Sequence, residues 1–323
     1  MTLIVVPDDF PPVFHGTPAH ERLSALGEVI VFAEPGAHQE AELVRRIGDA
    51  EIVINIRAYA KFTAAIFSAC PRLKLISVWG TGVDNIDLPA VSRHGVTVCN
   101  TAGVNASAVA EHTLALLLAV ARRIPQNDRE MRAGAWPRES TILSLHGKRL
   151  GLFGLGAIGS RMAQLGQAIG MEILGWSFRE DAGRIRALGA QPVGKEELLK
   201  GADAVSLHLR LTAETTGFLG RRELRLMQPG AILVNTARAA LVDREPLLEA
   251  LVEQRLGGAG LDVFHEEPIA PDDPLLSLPN VVLSPHNAGQ TPEVIRDGLL
   301  MAVQNVESYL KGTPTNTVPS PHR

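Results

Sequence analysis

Cysteine is almost missing from this chain. Two residues in 323, Cys70 and Cys99, make neither a disulfide framework nor a metal-ligand spacing, so a reducing cytoplasm is the expected compartment. Dense runs of lysine and arginine are missing too, and the formal net charge is −4; both argue against a nucleic-acid partner. The pairs Arg122-Arg123 and Arg221-Arg222 read as solvated helix faces. The longest apolar run, Thr113 to Ala121, is too short to cross a bilayer, so no membrane association is expected. The N-terminus, Thr2-Leu-Ile-Val-Val6 followed by Asp8-Asp9, lacks a basic leader and reads as a first strand rather than a signal peptide. No internal repeat or low-complexity segment stands out.

What is present is the composition of an ordinary globule, 46% hydrophobic and 20% charged, long enough for two cores. Strand-like and helical patterns alternate throughout. Strands are expected at 2–6, 29–33, 51–56, 73–79 and 96–99, with helices near 18–26, 38–48 and 63–69. A helix of nearly all-round apolar character follows from Ala106 to Arg123. It should be buried, with a subunit interface as one way to bury it. A second set of strands is expected at 149–154, 171–176, 203–208, 231–236, 258–263 and 280–284, then a helix at 292–311. Short β-branched runs separated by helical patterns imply parallel sheets with right-handed crossovers. The fold class is therefore α/β, with two Rossmann-like doubly wound parallel-sheet domains. A cofactor domain, 101–286, is inserted in a substrate domain made of 1–100 and 287–323.

The most specific local pattern is Leu150-Gly-Leu-Phe-Gly-Leu-Gly-Ala-Ile-Gly159, an apolar strand running into Gly154-x-Gly156-x-x-Gly159. Gly154 permits the tight turn, Gly156 leaves room for a pyrophosphate, and Gly159 lets the next helix pack on the strand. The helix that opens at Ala157 and Ile158 turns free N–H groups and the positive end of its dipole towards the anion. With the strand before it and the apolar run Met171 to Trp176 after it, this is a βαβ unit for a dinucleotide.

Ligands in open α/β sheets sit beyond the carboxyl ends of the strands. After the fourth strand of the second set comes Asn235-Thr-Ala-Arg238, after the fifth Asp262-Val-Phe-His-Glu-Glu267-Pro268, and after the sixth Ser284-Pro-His286-Asn-Ala-Gly289. An arginine, a glutamate and a histidine at successive strand ends converge on the crevice that the glycine loop defines.

With these residues the chain resembles the D-isomer-specific 2-hydroxyacid dehydrogenases, a family that includes glyoxylate/hydroxypyruvate reductases, D-lactate dehydrogenases and phosphoglycerate dehydrogenases. The likeness also runs through Gly80-Thr-Gly-Val-Asp-Asn-Ile-Asp87, Asn100-Thr-Ala-Gly-Val-Asn105, Val109-Ala-Glu-His112 and Asn235-Thr-Ala-Arg-Ala-Ala-Leu-Val-Asp243. It implies reduction of a small 2-keto acid, glyoxylate or hydroxypyruvate first, to the D-2-hydroxy acid by a homodimer. Alternatives are a bulkier 2-hydroxy acid, 3-phosphoglycerate, or a dinucleotide-sensing corepressor. The length would leave no room for the C-terminal regulatory domain of many phosphoglycerate dehydrogenases. Formate dehydrogenase fits poorly, since that likeness would put glutamine where Glu267 stands.

The chemistry needs these residue types. Imidazole titrates near working pH, so His286 is the expected proton donor, with Glu267 favouring and orienting the imidazolium. Arg238 offers a planar fork that can hold carboxylate and carbonyl together; the glycine that often follows it in the family is Ala239 here. The resemblance implies that Gly80, Thr81 and Gly82 meet the substrate carboxylate through main-chain N–H groups, and that Asp262 binds the nicotinamide carboxamide. It also carries over cofactor contacts at His208 and Ala237, with Arg210 standing where the family often has proline. Arg57, after the third strand, is a candidate substrate-site residue.

An NAD site usually ends its second strand with an acid that binds the ribose 2′-hydroxyl. Here that place, eighteen residues past Gly159, is Ser177, within Trp176-Ser-Phe-Arg179. No carboxylate stands there to repel a 2′-phosphate, and Arg179 can meet one. NADP(H) is therefore expected to be preferred over NAD(H), with Glu180 and Asp181 capping the next helix.

Overall fold

The computed structural model describes residues 1–137, 142–178 and 181–319. The chain divides into two compact units, one formed by Met1–Asn105 with Thr291–Arg323 and the other by Ala106–Gln290.

The first unit is built on five strands, β1 (Leu3–Val6), β2 (Glu28–Val31), β3 (Ile52–Asn55), β4 (Leu75–Val78) and β5 (Thr97–Cys99). All are parallel, in the order β2-β1-β3-β4-β5. Four helices connect them, α1 (Pro18–Ser24), α2 (Glu40–Ile47), α3 (Ala64–Ala69) and α4 (Leu88–Arg93). The central strands β1, β3 and β4 are apolar at every position but Asn55 and Ser77 because both sheet faces are covered. Val5, Val53 and Ile76 pack under Leu43, Ile47, Ile66 and Phe67. Ile4, Ile52, Ile54 and Leu75 face Ala302, Val303 and Val306 of the C-terminal helix, Pro292–Leu310. That helix starts cleanly, with Thr291 accepting from the N–H of Val294 and proline in its first turn. Ser77 Oγ donates to the carbonyl of Ala302 at 2.8 Å and Asn305 Nδ2 to that of Asn100 at 3.1 Å. A Cβ at Gly298 would run into the indole of Trp79, so the close approach of helix to strand end requires glycine.

The second unit contains seven parallel strands, β6 (Arg149–Phe153), β7 (Glu172–Trp176), β8 (Gln191–Pro192), β9 (Ala204–Leu207), β10 (Ile232–Asn235), β11 (Gly258–Leu261) and β12 (Val281–Leu283). Their order is β12-β11-β10-β9-β6-β7-β8, the Rossmann order with one strand added at an edge. The helices are α5 (Ala106–Arg122), α6 (Ile124–Arg132), α7 (Ala157–Ala168), α8 (Ala182–Ala187), α9 (Lys195–Gly201), α10 (Arg221–Leu226) and α11 (Arg244–Val252). One sheet face holds Phe153, Val205, Leu207 and Leu233, and the other Leu150, Leu152, Ile232 and Val234. The order reverses between β6 and β9, which places a ligand crevice beyond their carboxyl ends.

Every strand expected from sequence is present. The two-residue β8 and the helices α4 and α6 have no counterpart among the expected elements. β8 is too short to carry a period, and α4 and α6 are short, each with proline in its first turn. Within the chain, α5 is covered on one side. Val109, Thr113, Leu116, Leu117 and Val120 are buried within the chain, while Glu111 and Ala115 are exposed. No described helix is long and apolar enough to cross a membrane.

Candidate active site

The glycine loop follows β6 and opens α7. Gly154 has φ 92°, and a Cβ there would sit 2.6 Å from the carbonyl oxygen of His208 on the strand end across the crevice. Gly156 caps α7 in extended backbone, and a Cβ on it would meet nothing within 4 Å. Space is therefore open where a pyrophosphate must approach. A Cβ at Gly159 would strike the carbonyl oxygen of Gly154, so the tight packing of helix on loop admits only glycine. Ala157 and Ile158 form the first turn of α7, whose N–H groups have no intrahelical acceptor. A dinucleotide phosphate fits this cradle.

The three strand-end residues come together within this unit. His286 Nδ1 and Glu267 Oε2 are 2.7 Å apart, and both side chains are about two-fifths exposed. Glu267 Oε1 accepts from the N–H of Phe264 at 2.9 Å. Burial opposes ionisation of Glu267 most strongly. The hydrogen bonds from His286 and Phe264 and the charges of His286 and Arg238 together outweigh it, and hold the carboxyl below its ordinary value. Arg238 donates from Nη1 to the carbonyl of Ala237 at 2.7 Å, and its own carbonyl accepts from Asn235 Nδ2 at 2.8 Å. The N–H of Ala237 is held by Asn235 Oδ1 at 3.0 Å.

His286 has φ 51°, a left-handed conformation that costs a non-glycine residue on the order of 1–2 kcal/mol. What sustains it is Asp262. This carboxylate, 1% exposed, accepts from Ser284 Oγ at 2.6 Å, from the N–H of Asn287 at 3.1 Å and from the N–H of Ala288 at 3.0 Å. Asp262 thus clasps the loop on both sides of His286, a bracing role that the sequence reading did not give it.

His208 follows β9, and its Nε2 lies 3.0 Å from Ser206 Oγ. Burial pushes its pKa down to about 4, so at neutral pH it presents a neutral ring. Ser177 follows β7 directly and is partly exposed. Arg179 and Glu180 lie outside the described residues. Asp181 caps α8, accepting from the N–H of Arg184 at 2.9 Å.

In the first unit, Gly80 has φ 138°, and its N–H is taken by Thr101 Oγ1 at 2.8 Å. The carbonyl of Thr81 accepts from Asn100 Nδ2 at 2.8 Å. Gly82 continues the same partly exposed loop. Arg57 donates from Nη2 to the carbonyl of Pro11, while its buried Nε has no acceptor among the described residues.

Residues 114–288 match the model of the D-isomer specific 2-hydroxyacid dehydrogenase NAD binding domain. A glyoxylate reductase of Aeropyrum pernix is 42% identical over 262 residues, 78% of this chain and 78% of that one. A D-3-phosphoglycerate dehydrogenase of Archaeoglobus fulgidus is 36% identical over 274 residues, 84% of this chain and 52% of that one. Among solved structures, the NADPH-dependent glyoxylate/hydroxypyruvate reductase of Sinorhizobium meliloti, in complex with NADP and malonate, has a TM-score of 0.86. It is 29% identical, and the match covers 99% of this chain and 97% of that one. The chain belongs to the D-isomer specific 2-hydroxyacid dehydrogenase family. It is an oxidoreductase acting on a CH–OH group, and its dinucleotide is a nicotinamide one.

Two features of the dehydrogenase were not singled out from sequence. Arg184 Nη2 donates to the carbonyl of Leu155 at 3.2 Å, which brings a cation from α8 to the glycine loop. On α5, Thr113 Oγ1 lies 2.8 Å from Thr236 Oγ1, and His112 Nε2 lies 2.8 Å from Ser284 Oγ. His112 stands in one of the motifs that carry the resemblance, yet a motif does not say what it touches.

Proposed function

We propose that this dehydrogenase reduces glyoxylate or hydroxypyruvate to the D-2-hydroxy acid, with NADPH preferred over NADH and His286 as the general acid. The observation that carries the reading is the 2.7 Å contact of His286 with Glu267, within reach of the Arg238 charge, at the strand ends beyond the glycine loop. The nicotinamide, when bound, supplies the hydride. Arg238 holds the carboxylate and carbonyl of the substrate with its guanidinium fork. Because Nδ1 of His286 faces Glu267, the proton leaves from Nε2 to the carbonyl oxygen, and the ring is left neutral until solvent reprotonates it. Glu267 stays ionised and keeps the ring turned towards the substrate.

The unit 106–290 holds the cofactor; Arg57 and the Gly80–Gly82 loop belong to the unit 1–105 with 291–323. Since the Gly80 N–H is already engaged, Thr81 and Gly82 are the loop residues that meet the substrate carboxylate. Asp262 has three hydrogen bonds from the loop around His286, which leaves capacity for one more donor, the nicotinamide amide. Ser177, with no acid beside it among the described residues, supports the NADP(H) preference. The outward face of α5 is where a second copy would pack to form a homodimer. Two buried free thiols, Cys70 and Cys99, with Cys99 pushed up to about 11 by burial, fit a reducing cytoplasm.

The test is a spectrophotometric screen of short, branched and phosphorylated 2-keto acids with both cofactors. Highest kcat/KM on glyoxylate or hydroxypyruvate with NADPH is expected. A clear optimum on a branched or phosphorylated 2-keto acid would overturn the substrate, and binding of cofactor without turnover of any would favour a sensor.

A further inference from the structure

Asp262 is clasped by its own loop and also approached from the side by α5, and the approach depends on the composition of β11. The positions of the strand that face the helix are Gly258 and Gly260, followed two residues later by Asp262. The positions of the helix that face them recur every fourth residue, Val120, Leu116 and His112. A Cβ on Gly258 would stand 2.7 Å from Val120 Cγ1, and one on Gly260 2.9 Å from Leu116 Cβ. Any larger side chain at either site would hold the helix off. Two strand residues advance about 6.6–6.8 Å and four helical residues about 6 Å, so helix and strand stay in step for three pairs. The third pair is His112 against Asp262, with Nε2 3.6 Å from Oδ1.

The proton count fixes the direction of the network. An ionised Asp262 only accepts, so the single hydroxyl proton of Ser284 goes to it across 2.6 Å. Ser284 Oγ must then accept from His112 across 2.8 Å, which requires a proton on His112 Nε2. The chain His112 to Ser284 to Asp262 therefore runs one way and ends on the carboxylate that holds the N–H groups of Asn287 and Ala288. Those groups flank His286, whose left-handed backbone needs the clasp.

We propose that His112 is a positioning residue for His286. From α5, through Ser284 and Asp262, it fixes the loop that aims the imidazole at the substrate. This rests on His286 being the general acid, and it adds a residue and a route that the reading of His286 does not contain.

Four variants test it with glyoxylate and NADPH: His112→Phe, His112→Gln, Ser284→Ala and the His112→Phe/Ser284→Ala double. His112→Phe keeps the volume and removes the donor, and kcat is expected to fall about tenfold while substrate KM and cofactor Kd stay within about twofold. Glutamine places an N–H close to the position of Nε2, so His112→Gln should recover most of the loss. Ser284→Ala should lose as much as His112→Phe, and the double variant no more than either, because the two act through one chain. Nitrogen NMR of the cofactor-free protein should find His112 protonated at Nε2. Parental kcat in His112→Phe, losses that multiply in the double variant, a loss confined to cofactor affinity, or protonation at Nδ1 alone would each overturn the proposal. His286→Asn is run alongside. Retained turnover there would remove the general-acid reading itself, whereas an inactive His286→Asn with an unaffected His112→Phe removes this inference alone.

Discussion

His286 adopts φ 51° and from that backbone meets Glu267 Oε2 through Nδ1 at 2.7 Å. The pair consumes one ring nitrogen and leaves Nε2 as the only one able to exchange a proton with substrate. A strained residue at a strand end, held by a buried carboxylate, is a feature that folding alone does not require.

If that nitrogen is the proton donor, His286→Ala should cost roughly 10²–10⁴-fold in kcat. Glu267→Gln keeps the shape and loses the charge, so a smaller loss, about 10- to 100-fold, is expected. Cofactor titration by fluorescence should give unchanged affinity in both, since neither side chain belongs to the glycine loop. Near-parental turnover in His286→Ala would mean that the proton comes from elsewhere.

The pH profile of Glu267 follows from its sign. Its carboxyl is held below the ordinary value of 4.5, so it stays ionised to lower pH than a free glutamate. Any acid limb of kcat/KM that belongs to Glu267 must therefore have its midpoint below pH 4.5. The stabilisation it gives the fold is complete above that value and lost as pH falls through its lower folded value. An acid limb in reduction whose midpoint lies above 4.5 and which disappears in Glu267→Gln would contradict this assignment.

The alternation of apolar strands with helical segments made both sheets legible from sequence, because strands buried on both faces read as short continuous apolar runs. Gly154, Gly156 and Gly159 were legible for the same kind of reason, since each answers to a local backbone demand. Asp262 was not. Its sequence position makes it a strand-end acid, and only the fold shows that its partners lie 22 to 26 residues later, at Ser284, Asn287 and Ala288. His112 is further away still, 172 residues from Ser284. The one sequence trace of that contact is the agreement of a two-residue period in Gly258-x-Gly260-x-Asp262 with a four-residue period on α5, and it has meaning only once the two elements are known to be paired.

His208 gives a stability prediction independent of catalysis. Burial lowers its pKa from 6.5 to about 4, so the unfolded chain binds a proton more readily between those values. Stability is then complete above 6.5 and falls as pH drops towards 4. Urea midpoints at about pH 7 and about pH 5 should differ more in the parent than in His208→Gln, which has nothing to titrate there. Equal slopes for the two proteins would show that the ring titrates normally.

Among the described residues, the proposed cofactor preference rests on Ser177. Ser177 follows β7 where an NAD site has an acid, and Asp181, the nearest described carboxylate, is occupied as the cap of α8. Ser177→Asp would put a negative charge beside the 2′-position. Two like charges about 4 Å apart near a protein surface repel by about 4 kcal/mol, and a hundredfold loss needs only ~2.7 kcal/mol. NADPH efficiency should therefore fall by about two orders of magnitude or more, while NADH efficiency holds or rises as the acid takes the 2′-hydroxyl. The decisive measurement is the ratio of kcat/KM for the two cofactors in parent and variant. A parent that already favours NADH, or a variant whose ratio does not move, would place discrimination somewhere other than the end of β7.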